Sequence, residues 1–347
     1  MNTLNWRVGV LCLILIVFPS IQSQAQTSKS SGYHVLKTVT LGGEGGWDYL
    51  TVDSEARRVY ISRSTHVMVV DADTGAVVGD IPGTAGVHGI AIAPEFNRGF
   101  TSNGRTSSVT IFDLKTLKVL GQVSVGKNPD AIIYDPATKR VFSFNGASSD
   151  TTAIDAKTGT VAGTIALGGK PEFATSDNKG HVYVNIEDKS EVVALDSKKL
   201  AIENRWPLAP GEEPSGMAID RQHRRLFIGC SNKLMAIVNI DNGRVLTTLP
   251  SGEGVDANGF DPERALAFGS NGEGNLTVVH EDTPDKFSVL ENVPTQKGAR
   301  TMAVDPKTHN VFVVTANFGP APAATADRPR PRPSILPGTF TLLIVGK

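Results

Sequence analysis

The stretch NPDAIIYDPATKRVFSFNGASSDTTAIDAKTGTVAGTIALG, residues 128–168, contains one complete structural unit of this chain. Four segments that alternate apolar and polar residues, DAIIY, RVFSF, TTAID and TVAGTIAL, are separated by turn-forming residues such as Asp-Pro and Thr-Gly. Segments of this length and alternation are typical of β-strands. The stretch therefore predicts four consecutive antiparallel strands.

The same unit occurs seven times along the chain. One residue, usually acidic, ends the first strand of each copy and is called the anchor here. The anchors are Asp53, Ala93, Asp135, Asp177, Asp220, Asp261 and Asp305, which lie 40 to 44 residues apart. A period of this length is typical of propeller blades. The sequence therefore predicts an all-β fold, a seven-bladed β-propeller.

The two ends of the repeated region are complementary. The segment HVLKTVTLGG at 34–43 resembles the fourth strand of a copy, but no first three strands precede it. The seventh copy supplies three strands, of which TFTLLIV at 339–345 is the last. Pairing the N-terminal strand with the C-terminal blade would cover the strand edges that an open sheet exposes. We expect the ring to close in this way.

The N-terminus predicts export. Arg7 precedes the apolar run 8–18, and Ser23-Gln24-Ala25 forms a small-x-small cleavage signal, so residues 1–25 are predicted to be a secretory signal peptide. We expect residues 26–347 to form a single propeller domain that is a monomer, in the periplasm or outside the cell. No later segment approaches the roughly 20 apolar residues of a membrane span.

Charge and cysteine content limit the classes of function. The formal net charge of −1 gives no sign of a protein that binds polyanions. Removal of the leader also removes Cys12 and leaves Cys230 without a disulfide partner in the chain. Cys230 is then either a buried small residue or a reactive thiol, and we expect it to be buried.

A first ring of polar residues is predicted five positions before the anchors, where the chain enters each innermost strand. These mouth positions are Asp48, His88, Asp130, Glu172, Ser215, Asp256 and Arg300. Three interpretations stand: turn-capping side chains, direct contact with a ligand, or a divalent metal (Ca²⁺, Mg²⁺ or Zn²⁺). The metal would be held by Asp48, Asp130, Glu172 and Asp256, with His88 completing the site.

A second ring is predicted where each second strand ends. These collar positions are Arg63, Asn103, Asn145, Glu187, Cys230, Asn271 and Thr315. The three asparagines precede glycine and suit turns with positive φ; the alternative is a collar of amide and guanidinium groups that binds a ligand. The predicted ligand-binding residues are Trp47, Arg63, Asn103, Asn145, Glu187, Asn271 and Arg300, together with Arg328 and Arg330 of an inserted loop.

That insertion, Gly319–Gly338, lies in the seventh copy between its second and third strands. Arg328, Arg330 and Arg332 alternate with proline, a composition that favours polyproline II and excludes a central strand. Two interpretations stand: a lid whose arginines bind an anionic ligand, or a solvated insertion.

The repeat resembles a known family, the YVTN-repeat (YncE-like) seven-bladed β-propellers. The similarity rests on NPDAIIYDP with RVFSFNG, KPEFATSD with HVYVN, and SSVTIFD with LKTLKV, and it extends over essentially the whole mature chain. The resemblance implies an exported protein. One member of the family is associated with single-stranded DNA binding, and related propellers include lactonases, lyases and quinoprotein dehydrogenases.

Three functions remain open. The chain carries no GxSxG, HExxH or CxxC motif and no phosphate-binding loop, so the first expectation is a non-catalytic binding or scaffold protein for a small-molecule or peptide ligand. The alternative is a metal-dependent, lactonase-like hydrolase or lyase in which the metal activates water and His88 is the general base. The third is single-stranded DNA binding, which the resemblance suggests and the acidic mouth opposes.

Overall fold

The computed structural model describes residues 1–3, 30–323, 331 and 333–347. The predicted cleavage signal of the leader lies outside the described residues, as do Arg328, Arg330 and Arg332.

The described residues form 28 strands in seven four-stranded sheets, each of which is one blade. The innermost strands are Leu50–Asp53, Val87–Ala93, Pro129–Asp135, Pro171–Ser176, Pro214–Asp220, Val255–Asp261 and Met302–Val304. The second strands are Arg58–Arg63, Arg98–Asn103, Arg140–Asn145, His181–Ile186, Arg225–Cys230, Leu266–Asn271 and Val311–Thr315.

The outer half of each blade follows in the same order. The third strands are His66–Asp71, Ser108–Asp113, Asp150–Asp155, Glu191–Asp196, Leu234–Asn239, Asn275–Thr283 and Thr341–Gly346. The fourth strands are Val77–Ile81, Val119–Ser124, Val161–Ala166, Ala201–Pro207, Val245–Pro250, Lys286–Pro294 and, for blade 7, His34–Thr40. Every neighbouring pair is antiparallel, as in the pairs of blade 3. The predicted seven-bladed propeller is confirmed.

The ring closes between the two ends of the chain, as predicted. His34–Thr40 pairs antiparallel with Thr341–Gly346, and the backbone N–H of Leu41 extends the ladder by donating to the carbonyl of Phe340 at 2.8 Å. The last blade therefore takes three strands from the C-terminus and one from the N-terminus.

The anchors explain why an acidic residue recurs at the end of the innermost strand. Asp135 accepts hydrogen bonds from the hydroxyl of Thr138 in its own turn and from Ser176 and Ser197 of the next blade, each at 2.7 Å. The carboxylate thus fixes the turn to the second strand and joins two blades. Because Asp135 is fully buried, these bonds offset the cost of removing its charge from water.

The core lies between neighbouring blades. The second strand RVFSFN of blade 3 is buried over its last five residues, whereas the fourth strand VAGTIA is largely exposed. Between blades 1 and 2, Tyr60 and Phe112 pack together with a ring-centroid distance of 5.9 Å. Each fully buried side chain of this kind contributes roughly 1.5–3 kcal/mol, so inter-blade packing holds the ring.

Helix is confined to single turns in the described part of the chain: Pro94–Phe96, Gly104–Thr106 and Glu187–Lys189. None of the described helices has the length and apolar character needed to cross a membrane.

Candidate functional site

The mouth brings together side chains from three consecutive blades. The Nδ1 atom of His88 lies 2.6 Å from Oδ2 of Asp48 and 3.7 Å from Oδ1 of Asp130. One potential ligand atom from each of these residues lies within 4.8 Å of the other two. Each side chain stands where its chain segment enters an innermost strand, so convergence toward the axis follows from the propeller geometry.

Three of the remaining mouth positions, Glu172, Asp256 and Arg300, take part in ion pairs. Lys170 lies beside both Glu172, at 3.7 Å, and Glu187, which it contacts directly. Across the mouth, Nε of Arg300 lies 3.5 Å from Oδ2 of Asp256. The mouth therefore contains more carboxylates than fixed positive charges.

Burial and this excess of negative charge shift the pKa values of the mouth residues. Burial, followed by repulsion from Asp48, raises the pKa of Asp130 to about 6. Burial, followed by repulsion from Asp130, raises the pKa of Glu172 to about 8. Burial alone would lower the pKa of His88, but the hydrogen bond to Asp48 and the charge of Asp130 outweigh it and raise that pKa. All three groups thus favour one more proton, or another cation, at the mouth.

An aromatic pair separates the mouth from the central channel. Tyr49 of blade 1 and Phe173 of blade 4 meet across the axis with ring centroids 5.0 Å apart. Tyr49 directly follows Asp48, and burial, followed by the charges of Asp130 and Glu172, raises the pKa of its phenol well above the usual value. Beneath the pair lies a cavity of about 620 Å³ that extends to exposed turn residues such as Glu95 and Arg221. The channel therefore opens on the face where the anchors lie.

The collar asparagines do not face a ligand, and that prediction is corrected. Asn103, Asn145 and Asn271 are fully buried. Their amides donate to a threonine of the third strand, Thr110, Thr152 and Thr277 respectively, at 2.8, 3.0 and 2.8 Å. Nor does any of the three have positive φ. Each asparagine instead joins the second strand of its blade to the third strand.

Arg63, predicted to bind ligand, is also an internal residue. Its guanidinium is buried, donates to the carbonyls of Gly42, Glu44 and Gly45, and lies 3.6 Å over the ring of Phe340. Burial lowers its pKa to about 10. Arg63 therefore fixes the segment between the closing strand and the first blade rather than binding a ligand.

The other collar residues have structural partners as well. Glu187 pairs with Lys170, and the buried hydroxyl of Thr315 donates to the carbonyl of Lys297. Cys230 is fully buried, and burial raises the pKa of its thiol to about 11. A thiol with this pKa stays protonated near neutral pH, so Cys230 is a core residue rather than a nucleophile.

Trp47 and Arg300 lie together at the rim of the mouth. The indole Nε1 of Trp47 donates to the carbonyl of Arg300 at 3.2 Å, and its ring packs between Phe318 and Phe340. Phe318 immediately precedes the insertion and forms an isolated antiparallel bridge with Ile335. The insertion therefore leaves the ring beside Trp47, while Arg328 and Arg330 lie outside the described residues.

The sequence reasoning missed a second polar cluster, on the anchor face. Asp220, His223 and Glu281 each place a potential ligand atom within 4.8 Å of the other two. The signal was present in the repeat, because Glu281 in the third strand of blade 6 is equivalent to Ala72 in blade 1 and Ala156 in blade 3.

Comparison with known proteins supports the fold alone. No protein-family model and no curated protein sequence matches the chain. The structure "Structure of U3-55K" is similar, with a TM-score of 0.72 and 9% identity over 91% of this chain and 99% of that one. "Crystal structure of RRP9 WD40 repeats" is similar with the same TM-score and identity, over 92% of this chain and 99% of that one. The chain has the seven-bladed β-propeller fold.

Proposed function

We propose that this protein is an exported β-propeller that binds a cationic ligand at its mouth. The observation that carries the proposal is the group of carboxylates Asp48, Asp130, Glu172 and Asp256, whose charge Lys170 and Arg300 only partly balance. A ligand with two or more amino groups, such as a polyamine or a lysine-rich peptide, matches this charge.

Partial burial makes the site selective for a charged group. The side chains of Asp130 and Glu172 are 15% and 19% exposed, so water screens their charges only in part. An ammonium group between them would replace the proton that each now favours, since an opposite charge nearby stabilises a carboxylate. The phenol of Tyr49 gives the floor of the site a polar group as well.

Spermidine provides the first test. Isothermal titration at pH 8.5 in the presence of EDTA should show saturable binding of spermidine and none of succinate, which carries the opposite charge. Substitution Glu172→Gln should weaken spermidine binding by roughly tenfold, because one charge contact of about 1.4 kcal/mol is lost. Glu55→Gln is the matched control, since Glu55 is a 91% exposed carboxylate on the other face. No saturable binding, or equal affinity of the two variants, would refute the proposal.

A second candidate function follows from Asp48, His88 and Asp130. Their three ligand atoms are close enough to contact one divalent ion, and a mixed set of oxygen and nitrogen donors suits Zn²⁺ better than Ca²⁺. Such an ion would supply Lewis-acid chemistry for a lactonase-like hydrolase or lyase. Zinc content after dialysis against Zn²⁺, in wild type and in His88→Gln, tests this candidate. This candidate is supported if His88→Gln contains one equivalent of zinc less than wild type. It is excluded if the two proteins contain the same amount.

Family membership and location belong to the same proposal. The motifs NPDAIIYDP and RVFSFNG support membership of the YVTN-repeat family, and the leader features in residues 1–25 support export to the periplasm or the medium. N-terminal sequencing of protein recovered outside the cytoplasm should begin near Gln26. Single-stranded DNA remains the least favoured ligand, since the acidic mouth repels phosphates.

A further inference from the structure

The cluster on the anchor face lies between blades 5 and 6. Asp220 is the anchor of blade 5, His223 belongs to the turn that follows it, and Glu281 belongs to the third strand of blade 6. The Nδ1 atom of His223 lies 2.7 Å from Oδ2 of Asp220 and 3.0 Å from Oε1 of Glu281. This group of three residues is called the junction cluster.

In five other blades the residue equivalent to Glu281 is apolar or uncharged. In six blades the residue at this position donates its backbone N–H to the turn between the first two strands. Besides Glu281, these residues are Ala72, Leu114, Ala156, Ser197 and Ile240. A carboxylate at a position that the repeat fills with small or apolar side chains requires a local partner.

The described residues do not supply that partner through hydrogen bonds. The side chain of Glu281 is only 1% exposed. In the part of the chain that the structure describes, no contact with hydrogen-bond geometry reaches either carboxylate oxygen of Glu281 or Nδ1 of His223, although Nδ1 lies at ion-pair distance from both carboxylates. The carboxylate of Glu281 and Nδ1 of His223 are thus buried and close together, but neither is fully satisfied by hydrogen bonds.

Nearby positive charge is engaged elsewhere. Arg225, which begins the second strand of blade 5, directs its guanidinium to the carbonyl of Pro284 and the carboxylate of Asp285. It weakens the field at Glu281 without hydrogen bonding to it. Two facing carboxylates in a buried site both remain charged only when a cation lies between them, and that cation is either a protonated His223 or a metal ion.

We propose that the junction cluster is a binding site for a divalent transition-metal ion such as Zn²⁺ or Mn²⁺. Two carboxylates and an imidazole are donors that these ions accept, whereas Ca²⁺ prefers oxygen donors alone. Donor atoms at about 2.0–2.2 Å from one ion stand roughly 3 Å apart when adjacent, close to the observed separations of 2.7 and 3.0 Å. The bound ion links blade 5 to blade 6 and stabilises the contact between them. It acts independently of the mouth.

Metal binding by the wild type and two variants tests the site. After treatment with EDTA and its removal, the protein is titrated with Zn²⁺ and, separately, with Mn²⁺. We expect Glu281→Gln and His223→Gln to lose one equivalent, with affinity reduced by roughly 100-fold or more, since even residues that only support a ligand are worth 10–100-fold. Mouth variant His88→Gln should retain that equivalent, which separates the two clusters.

Further variants keep the result interpretable. Glu281→Ser copies the arrangement around Ser197 in blade 4 and should fold without metal, so loss of binding in Glu281→Ser cannot be ascribed to unfolding. Saturating Zn²⁺ should raise the melting temperature of wild type by about 5 °C and leave that of Glu281→Ser unchanged. Equal Zn²⁺ binding by wild type and Glu281→Gln would overturn the proposal. So would no binding by wild type, in which case the two carboxylates share a proton.

Discussion

The junction of blades 3 and 4 and the junction of blades 5 and 6 place an anchor aspartate in the same position but surround it with different chemistry. Asp135 faces Ser197, whose hydroxyl donates to it at 2.7 Å, and Asp220 faces Glu281. In the first junction, uncharged hydroxyls satisfy a single buried carboxylate. In the second junction, the carboxylate of Glu281 occupies the position of the hydroxyl donor Ser197. One substitution in a repeat thus converts an inter-blade contact into a site that needs a proton or a metal ion.

Introducing a second carboxylate at the junction of blades 3 and 4 should have the largest effect on stability. Ser197→Glu would bury a carboxylate against Asp135, and we expect it to lower the free energy of unfolding by about 3–5 kcal/mol at pH 8 with EDTA. Ser197→Gln is the matched control, because it has nearly the same shape and no charge. Urea denaturation measures both. If the two variants are equally stable, charge does not distinguish the junctions and the comparison fails.

The cluster can also be transplanted. Thr138 occupies, after Asp135, the position that His223 occupies after Asp220, so the double substitution T138H/S197E recreates all three donors between blades 3 and 4. We expect Zn²⁺ at about 100 times its dissociation constant to restore roughly 2.7 kcal/mol to this variant. Zinc content should rise by one equivalent over wild type. Zn²⁺ that stabilises S197E alone to the same extent would show that the histidine contributes nothing.

Removing the carboxylate of Glu281 should stabilise the metal-free protein above pH 7. The change in the free energy of unfolding should be smaller than the destabilisation by Ser197→Glu. The raised pKa of Glu281 means that the folded protein binds its proton more tightly than the unfolded chain does. Wild type therefore has this contribution in full below about pH 4.5 and loses it as the pH rises toward 7. Relative to Glu281→Ser, the free energy of unfolding of wild type in EDTA should fall by about 1–3 kcal/mol between pH 4.5 and 8. Parallel stability curves for the two proteins would contradict the assignment.

The sequence predicted the ring because period, turn residues and strand alternation are local properties that repeat. The anchors Asp135 and Asp305, the closing strand and the mouth positions all followed from that register. The roles of Arg63 and Asn145 could not be read in the same way. Whether a polar side chain at a strand end points to solvent or to a neighbouring strand depends on which partner lies within reach, and Thr152 provides that partner for Asn145.

The sequence did not predict the junction cluster, or the aromatic pair between the mouth and the channel, for a related reason. Glu281 becomes informative only when it is placed opposite an anchor 61 residues away in the chain. Likewise, the contact between Tyr49 and Phe173 joins blades on opposite sides of the axis. Neither pairing is local, and neither follows from the repeat, because both depend on residues that differ from their equivalents in other blades.

The carboxylates of the mouth differ from those of the junctions because water reaches them. Their charge is therefore expected to affect ligand affinity rather than folding. Because the pKa values of Asp130 and Glu172 are raised to about 6 and about 8, both groups are largely protonated at pH 5 and become charged by pH 9. Spermidine affinity should therefore increase by about tenfold over this range. In Glu172→Gln the increase above pH 7 should vanish while the part near pH 6 remains. Isothermal titration across this range measures both profiles, and an affinity that falls with pH would show that the carboxylates do not bind the cation. Loss of the proton from His88 also lowers the positive charge at the mouth as the pH rises, so the two effects act in the same direction.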